Sequence, residues 1–348
     1  MNKRIISVLA AAATAVSFTA CNNVKKTDSK KLSIVTTIFP EYDWVMSILG
    51  ENKEDADVTM LLDKGVDLHS YQPTAEDILK VTTCDMFIYV GGESDEWVED
   101  VLKQATNKDM VVIDLLDVLG DNVKVEEVVE GMEHEHDHDH DHDEEHDHDE
   151  DHDEDHDHDE DHDHDHEEPE YDEHVWLSLR HAEVICTKIE AELEKLDPNH
   201  KDSYKKNLDA YIAELSALDA EYQAVVEKAE CKTILFADRF PFRYLADDYG
   251  LSYYAAFAGC SAESEASFET IVFLSEKVDE LNLPAVLTIE GPNHKIAQTV
   301  LENTSDPGKK ILTMDSLQST TGEDVKNGKN YLSSMKSNLE VLKEALGV

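Results

Sequence analysis

The chain has 348 residues, with 79 Asp and Glu against 30 Lys and Arg, for a formal net charge of −49 at pH 7. Its length exceeds the roughly 150 residues of one domain, so two lobes are expected. So negative a chain is repelled by nucleic acid, which argues against it as a partner, and by anionic membrane unless another device holds it there.

The first 20 residues read as a signal peptide. Lys3 and Arg4 form the basic start, and an apolar run from Ile5 through Ala20 follows. The run ends in Phe18-Thr19-Ala20-Cys21, which resembles the bacterial lipoprotein processing box. Cys21 is therefore the expected lipidation site, anchoring the protein on the extracytoplasmic face of a bacterial cell membrane. Residues 21–31 are polar and read as a tether. No later apolar run is long enough to span a bilayer. Cys84, Cys186, Cys231 and Cys260 are scattered without a CxxC pair, which allows one disulfide but assigns none.

Short β-like runs at 32–38, 58–62, 86–90 and 110–113 alternate with helical patterns at 41–49, 74–81 and 96–106, as in an α/β lobe with a mainly parallel sheet. A second series follows, with strands at 232–237, 252–256, 285–289 and 310–313 and helices at 240–248, 265–281, 295–303 and 330–346. Between them, Leu208, Tyr211, Leu215, Leu218, Tyr222, Val225 and Ala229 recur every three or four residues. That spacing predicts one amphipathic helix of about 30 residues, roughly 45 Å long. It is either a rigid strut between lobes or an ordinary core helix.

The expected organisation is a first lobe at 32–198, a connecting helix at 199–230 and a second lobe at 231–348. Inside the first lobe, residues 133–168 are all His, Asp or Glu, with 13 histidines and 23 carboxylates. Such a tract has nothing apolar to bury, so composition predicts a disordered, solvated loop. Its imidazole and carboxylate groups suit zinc and other divalent ions, bound loosely because a flexible chain loses entropy around each one. The patterns His134-Glu135-x-x-His138 and His142-x-x-Glu145-His146 mimic metalloprotease motifs. They are accidents of low complexity, because catalysis needs a packed helix and a dry cleft that no residue here can build.

Two segments stand out from this frame. Asp67-Leu68-His69-Ser70-Tyr71-Gln72-Pro73 follows the second strand, and Asp172-Glu173-His174-Val175-Trp176-Leu177-Ser178 lies where the tract ends. Both resemble the histidine motifs of the metal-binding receptors that serve ABC importers of zinc and manganese, which read roughly D-P-H-x-Y-x-P and D-P-H-x-W-L-x-P. Tyr249-Gly250-Leu251, the long helix and the acidic His-rich insertion extend the likeness over essentially all of the chain from Leu32. The resemblance implies two α/β lobes joined by a rigid helix, a metal ion held between them and delivery to a membrane permease rather than catalysis.

Carried onto this sequence, the resemblance makes His69 and His174 metal ligands, although Leu68 and Glu173 stand where the motifs have proline. The family's third histidine falls on Arg239 when counted back from Tyr244 and Tyr249, and arginine offers no lone pair. Counted forward from the strand it falls on Asp238, the favoured third ligand. Asp315, in Thr313-Met314-Asp315-Ser316-Leu317, is the expected fourth, with Glu290 and Glu265 as substitutes. Two histidines and two carboxylates suit zinc but also manganese. The His-rich tract tips the choice to zinc. The resulting expectation is a monomeric, lipid-anchored receptor that is not an enzyme. The competing one is a surface zinc buffer or sensor acting through the tract. A zinc hydrolase is disfavoured, since the sequence displays no general base or substrate pocket.

Overall fold

The computed structural model describes residues 31–132, 170–261, 265–291 and 293–348. The signal-like segment, Cys21 and the tract at 133–168 lie outside them.

The first sheet contains β1 (Leu32–Thr36), β2 (Ala56–Met60), β3 (Met86–Tyr89) and β4 (Val111–Asp114), with α1 (Phe39–Leu49), α2 (Ala75–Thr83) and α3 (Trp97–Lys103) on the crossovers and α4 (Leu115–Leu119) after the last strand. All pairings are parallel and the order is β2-β1-β3-β4. Central β1 pairs with β2 from Leu32↔Ala56 to Thr36↔Met60 and with β3 from Ile34↔Met86 to Thr36↔Ile88. Helices cover both faces of such a sheet, which is why Ile34, Val35 and Thr36 are buried in succession rather than in alternation. The α2 start is set by a capping box in which Thr74 and Asp77 satisfy each other's backbone amides.

The second sheet repeats this plan with β5 (Thr233–Arg239), β6 (Ser252–Phe257), β7 (Ala285–Ile289) and β8 (Lys310–Met314) in the order β6-β5-β7-β8. After α5 and α6, described below, its helices are α7 (Arg243–Tyr249), α8 (Phe268–Glu280), α9 (Lys295–Glu302), α10 (Gly322–Lys326) and α11 (Tyr331–Leu346). Strand β5 carries a bulge between Phe236 and Arg239, where its register against β6 shifts. Ile234 and Phe236 of β5 face the main core, while Leu235 and Ala237 face a smaller cluster with Leu274 and Val300, the side-to-side alternation of a strand.

Between the sheets lie α5 (Leu179–Leu196) and α6 (Lys201–Lys228). Helix α6 is the long helix that the spacing predicts. It buries Leu208, Tyr211, Leu215, Leu218, Tyr222 and Val225 against α5, α1 and α11, and so touches elements of both lobes. Each large side chain buried there contributes on the order of 1.5–3 kcal/mol. Sequence reading leaves 179–198 unassigned, yet α5 buries Ala182, Ile185, Ile189 and Leu193 at helical spacing and starts at a Ser178 cap on the His181 amide. Among the described residues, no helix is long and apolar enough to cross a membrane.

Candidate metal centre

His69 sits in a single 3-10 turn after β2. The Asp67 carboxylate caps that turn by accepting from the His69 amide at 3.1 Å. His174 sits just before another such turn, where Asp172 accepts from the His174 amide at 2.9 Å. The chain that bears His174 is clamped by the second lobe. Tyr244 Oη donates to the Asp172 carbonyl at 2.7 Å, Trp176 Nε1 donates to the Ser316 carbonyl at 2.9 Å, and Tyr331 Oη donates to the Trp176 carbonyl at 2.6 Å.

These two loops bring His69 Nε2 to 3.2 Å from His174 Nε2, with His174 fully buried. On the far side of each ring stands a carboxylate. His174 Nδ1 is 2.9 Å from Asp172 Oδ1, while His69 Nδ1 is 2.8 Å from Ser94 Oγ and 3.4 Å from Glu173 Oε2. An ionised carboxylate only accepts, so the His174 proton is assigned to Nδ1 and a lone pair to its Nε2. His69 presents a lone pair at Nε2 as well when its Nδ1 proton goes to the Ser94 hydroxyl, which can accept it. Two lone pairs at this distance repel unless a proton or a cation lies between them. Zinc–nitrogen bonds of about 2.0–2.1 Å in a tetrahedron put neighbouring nitrogens roughly 3.3–3.4 Å apart, close to the separation found here.

Glu173 is held in place through backbone geometry. Its Oε1 accepts from the Ser94 amide at 2.9 Å, and Gly92, at φ +79°, leaves the space it fills. A Cβ at Gly92 would come within 2.4 Å of that oxygen. Burial pushes the Glu173 carboxyl up, but hydrogen bonding, first from His69 and then from Ser94, outweighs it and leaves the group below its ordinary range.

A third potential ligand comes from the second lobe. One ligand atom each from His69, His174 and Cys260 lies within 4.8 Å of the others. Cys260 follows β6, and its amide donates to Glu126 Oε1 at 2.8 Å. Burial, and then the charges of Glu126, Asp172 and Glu173, raise its thiol far above the usual range. The sequence offered no signal for it, because it lacks a CxxC partner. The disulfide that sequence reading allowed does not form among the described residues, where all four cysteines are free.

The two aspartates expected as ligands are engaged elsewhere. At the β5 bulge, Asp238 Oδ1 accepts from the Arg239 amide at 2.9 Å and Oδ2 from the Ile289 amide at 3.3 Å, so both oxygens cap backbone. Asp238 still lines a cavity of about 690 Å³ shared with His69, Glu265, Glu290 and His294. Asp315 pairs with Lys329 Nζ at 2.6 Å and accepts from the Leu317 amide, and it does not group with the histidines. Glu290 accepts from the Ser316 amide and hydroxyl at 2.7 and 2.6 Å. Arg239 takes a structural part, with Nη2 2.6 Å from Asp67 Oδ2. Burial raises the Asp67 carboxyl, but the Arg239 guanidinium outweighs it and holds the group below its ordinary range. This ion pair ties the second lobe to the turn that bears His69.

A smaller cavity of about 240 Å³ adjoins the histidines and is lined by His69, Cys260, Glu93, Glu126, Glu170 and Glu173. It gives the site an acidic approach that favours a cation.

Residues 34–345 match the family model described as zinc-uptake complex component A, periplasmic. The zinc-binding lipoprotein AdcA of Streptococcus pneumoniae is 32% identical over 339 residues, 97% of this chain and 60% of that protein. The high-affinity zinc uptake system protein ZnuA of Bacillus subtilis is 32% identical over 332 residues, 94% of this chain and 93% of that protein. Among solved structures, the Zn(II)-bound ZnuA-like domain of the pneumococcal AdcA superposes with a TM-score of 0.66 at 27% identity, covering 91% of this chain and 100% of that one. The chain thus spans 60% of the length of the pneumococcal lipoprotein that it matches.

Proposed function

The chain belongs to the family of periplasmic zinc-uptake components, and from that premise we propose that it is an extracytoplasmic receptor that captures zinc between its lobes and delivers it to the permease of an ABC-type importer. The observation that carries this reading is the pair of imidazole nitrogens 3.2 Å apart, with Asp172 behind the buried His174 ring and the Ser94 hydroxyl behind His69, where Glu173 stands 3.4 Å away. His69 and His174 are the proposed ligands, with Asp172 fixing the tautomer of His174 and Ser94 orienting His69. In this arrangement Asp238 and Asp315 keep their backbone and lysine partners and supply no ligand.

Capture needs no chemistry on a substrate, and the proposed protein is a binder rather than an enzyme, working as a single chain. The ion enters through the acidic cavity beside His69, sheds water and takes the two imidazoles. It leaves when docking on the permease disturbs the clamped His174 loop. Cys21 is the proposed lipid anchor that keeps the receptor beside its permease, and the tract at 133–168 raises the local supply of metal. Imidazole must be neutral to ligate, so acid weakens binding. Zinc affinity that stays unchanged down to about pH 4.5 would contradict this.

The length of the His-rich tract favours one second reading, a surface zinc buffer. Zinc calorimetry on the chain lacking 133–168, beside the same chain carrying His69→Ala and His174→Ala, separates the two. One tight site that disappears in the double variant supports the receptor. No tight site in either protein leaves the tract as the working part.

A further inference from the structure

We propose that Cys260 is the ligand that the second lobe brings to the ion held by His69 and His174, making an interlobe site of two imidazoles and one thiolate that selects zinc against manganese. The inference rests on the receptor reading above and deepens it, because it names the donor that gives the site its metal preference.

Topology supports it first. Strands β2 and β6 occupy the same place in two sheets of identical order, beside central β1 and β5. His69 lies on the connection after β2 and Cys260 on the connection after β6. Each lobe thus sends a donor from the same connection, at the carboxyl end of a strand, where open α/β sheets form their binding crevices.

Close approach supports it next. A Cβ added at Gly259 would lie 3.1 Å from His174 Cε1 and Nδ1 and 3.0 Å from the Phe240 carbonyl, so the loop packs directly on the ligand ring and a larger residue would push the two apart by a few tenths of an ångström. Glu126 then holds the next amide, that of Cys260, at 2.8 Å. The loop is thus fixed immediately before the thiol.

Distances fit after a small closure. A tetrahedral zinc with bonds of about 2.1 Å to nitrogen and 2.3 Å to sulfur separates the two ligand atoms by roughly 3.5–3.6 Å. The three donor atoms here lie within 4.8 Å of one another, so about 1 Å of movement by the second lobe completes the site. The guanidinium of Arg239, which cannot ligate, is drawn aside by Asp67. As the zinc–sulfur bond forms, the thiol proton leaves to water in the acidic cavity that Cys260 lines, one proton for each ion bound. Thiolate is a soft donor that suits zinc, whereas manganese favours oxygen.

The test uses the full chain and Co(II) as the probe. The tract contains no cysteine and Cys21 is changed to Ser in every protein tested, so a thiolate-to-cobalt charge-transfer band reports on folded thiols alone. The expected result is a band that is lost in Cys260→Ser and in His69→Ala, is kept in Cys231→Ser and is removed by zinc. The ratio of zinc to manganese affinity at the His69-dependent site should fall about tenfold or more in Cys260→Ser. A His69-dependent cobalt site with no thiolate band, or a band that survives Cys260→Ser, overturns the inference and leaves the receptor reading intact. No His69-dependent cobalt site at all overturns the receptor reading and the inference with it. If Cys260→Ser fails to fold, alkylation of the unaltered chain decides. Zinc should shield Cys260 from a thiol reagent, and equal labelling with and without zinc overturns the inference.

Discussion

The two lobes share one strand order and put different chemistry on it. Where the first lobe follows β2 with His69 and places His174 ahead of a 3-10 turn that leads into α5, the second ends β5 in Arg239 and follows β6 with Cys260. The first lobe's donors are held by groups of their own lobe, Asp172 behind His174 and the Ser94 hydroxyl behind His69. The second lobe's cation is instead spent on Asp67 across the cleft. Shared topology thus determines where a donor can stand, and the side chain at each loop determines whether it offers a lone pair or ties the lobes together.

The sharpest way to break this comparison is to exchange a ligand for a tie. His174→Ala should weaken zinc binding in the tract-deleted protein by on the order of 100-fold or more. Arg239→Ala should leave it within about threefold, since a guanidinium has no lone pair to offer the ion and its removal takes away no ligand. Calorimetry on both variants checks the pair. A large loss in Arg239→Ala would mean that the tie is part of the site.

A smaller effect is expected behind the ligand. Asp172→Asn keeps the amide cap on His174 but weakens the support at Nδ1, and should cost about 10- to 100-fold in zinc affinity. Competition against a chromophoric chelator measures it. Were the loss as large as in His174→Ala, the carboxylate itself would have to be a ligand.

Acid stability tests how the halves are joined. His181 on α5 meets the Tyr244 ring of the second lobe edge-on at 5.0 Å, and burial lowers its imidazole from 6.5 to about 4. Between those values the unfolded chain holds a proton that the folded chain lacks. Stability from this group is therefore complete above pH 6.5 and is lost as pH falls toward 4. Allowing for partial solvent exposure, the loss is on the order of 1–2 kcal/mol. Burial raises Asp43 to about 6 and Asp95 to about 7, which works in the opposite direction. The difference between the parent and His181→Phe in urea unfolding across pH 4 to 7 isolates the histidine.

The smallest effect belongs to the tie. Arg239→Gln should destabilise the metal-free protein by about 1 kcal/mol, the range of a partly exposed ion pair. Chemical denaturation checks it, and a neutral result would show that docking of the lobes rests on packing around α6 and on the hydrogen bonds that clamp the His174 segment.

Much of the fold was legible because it is written in consecutive residues. The runs that become β1 to β8 and the three-and-four spacing of Leu208 to Val225 are local patterns, and local patterns set element type. Helix α5 escaped because its apolar positions are diluted by charged ones, and its identity depends on burial against α6. The histidines could be nominated from their motifs. Their meeting at 3.2 Å could not be read, since 105 residues of chain separate them. The third position shows why counting fails: a bulge in β5 absorbs the register difference, turns Asp238 onto two amides and sends Arg239 to Asp67.

By itself, then, the sequence determined the alternation of strands and helices, the long helix, the His-rich insertion and the two histidine loops. Each depends on residues near one another in the chain. Only the tertiary structure decided which donors converge. Convergence of His69, His174 and Cys260 follows from docking two sheets against α6, which brings together loops that no local pattern connects.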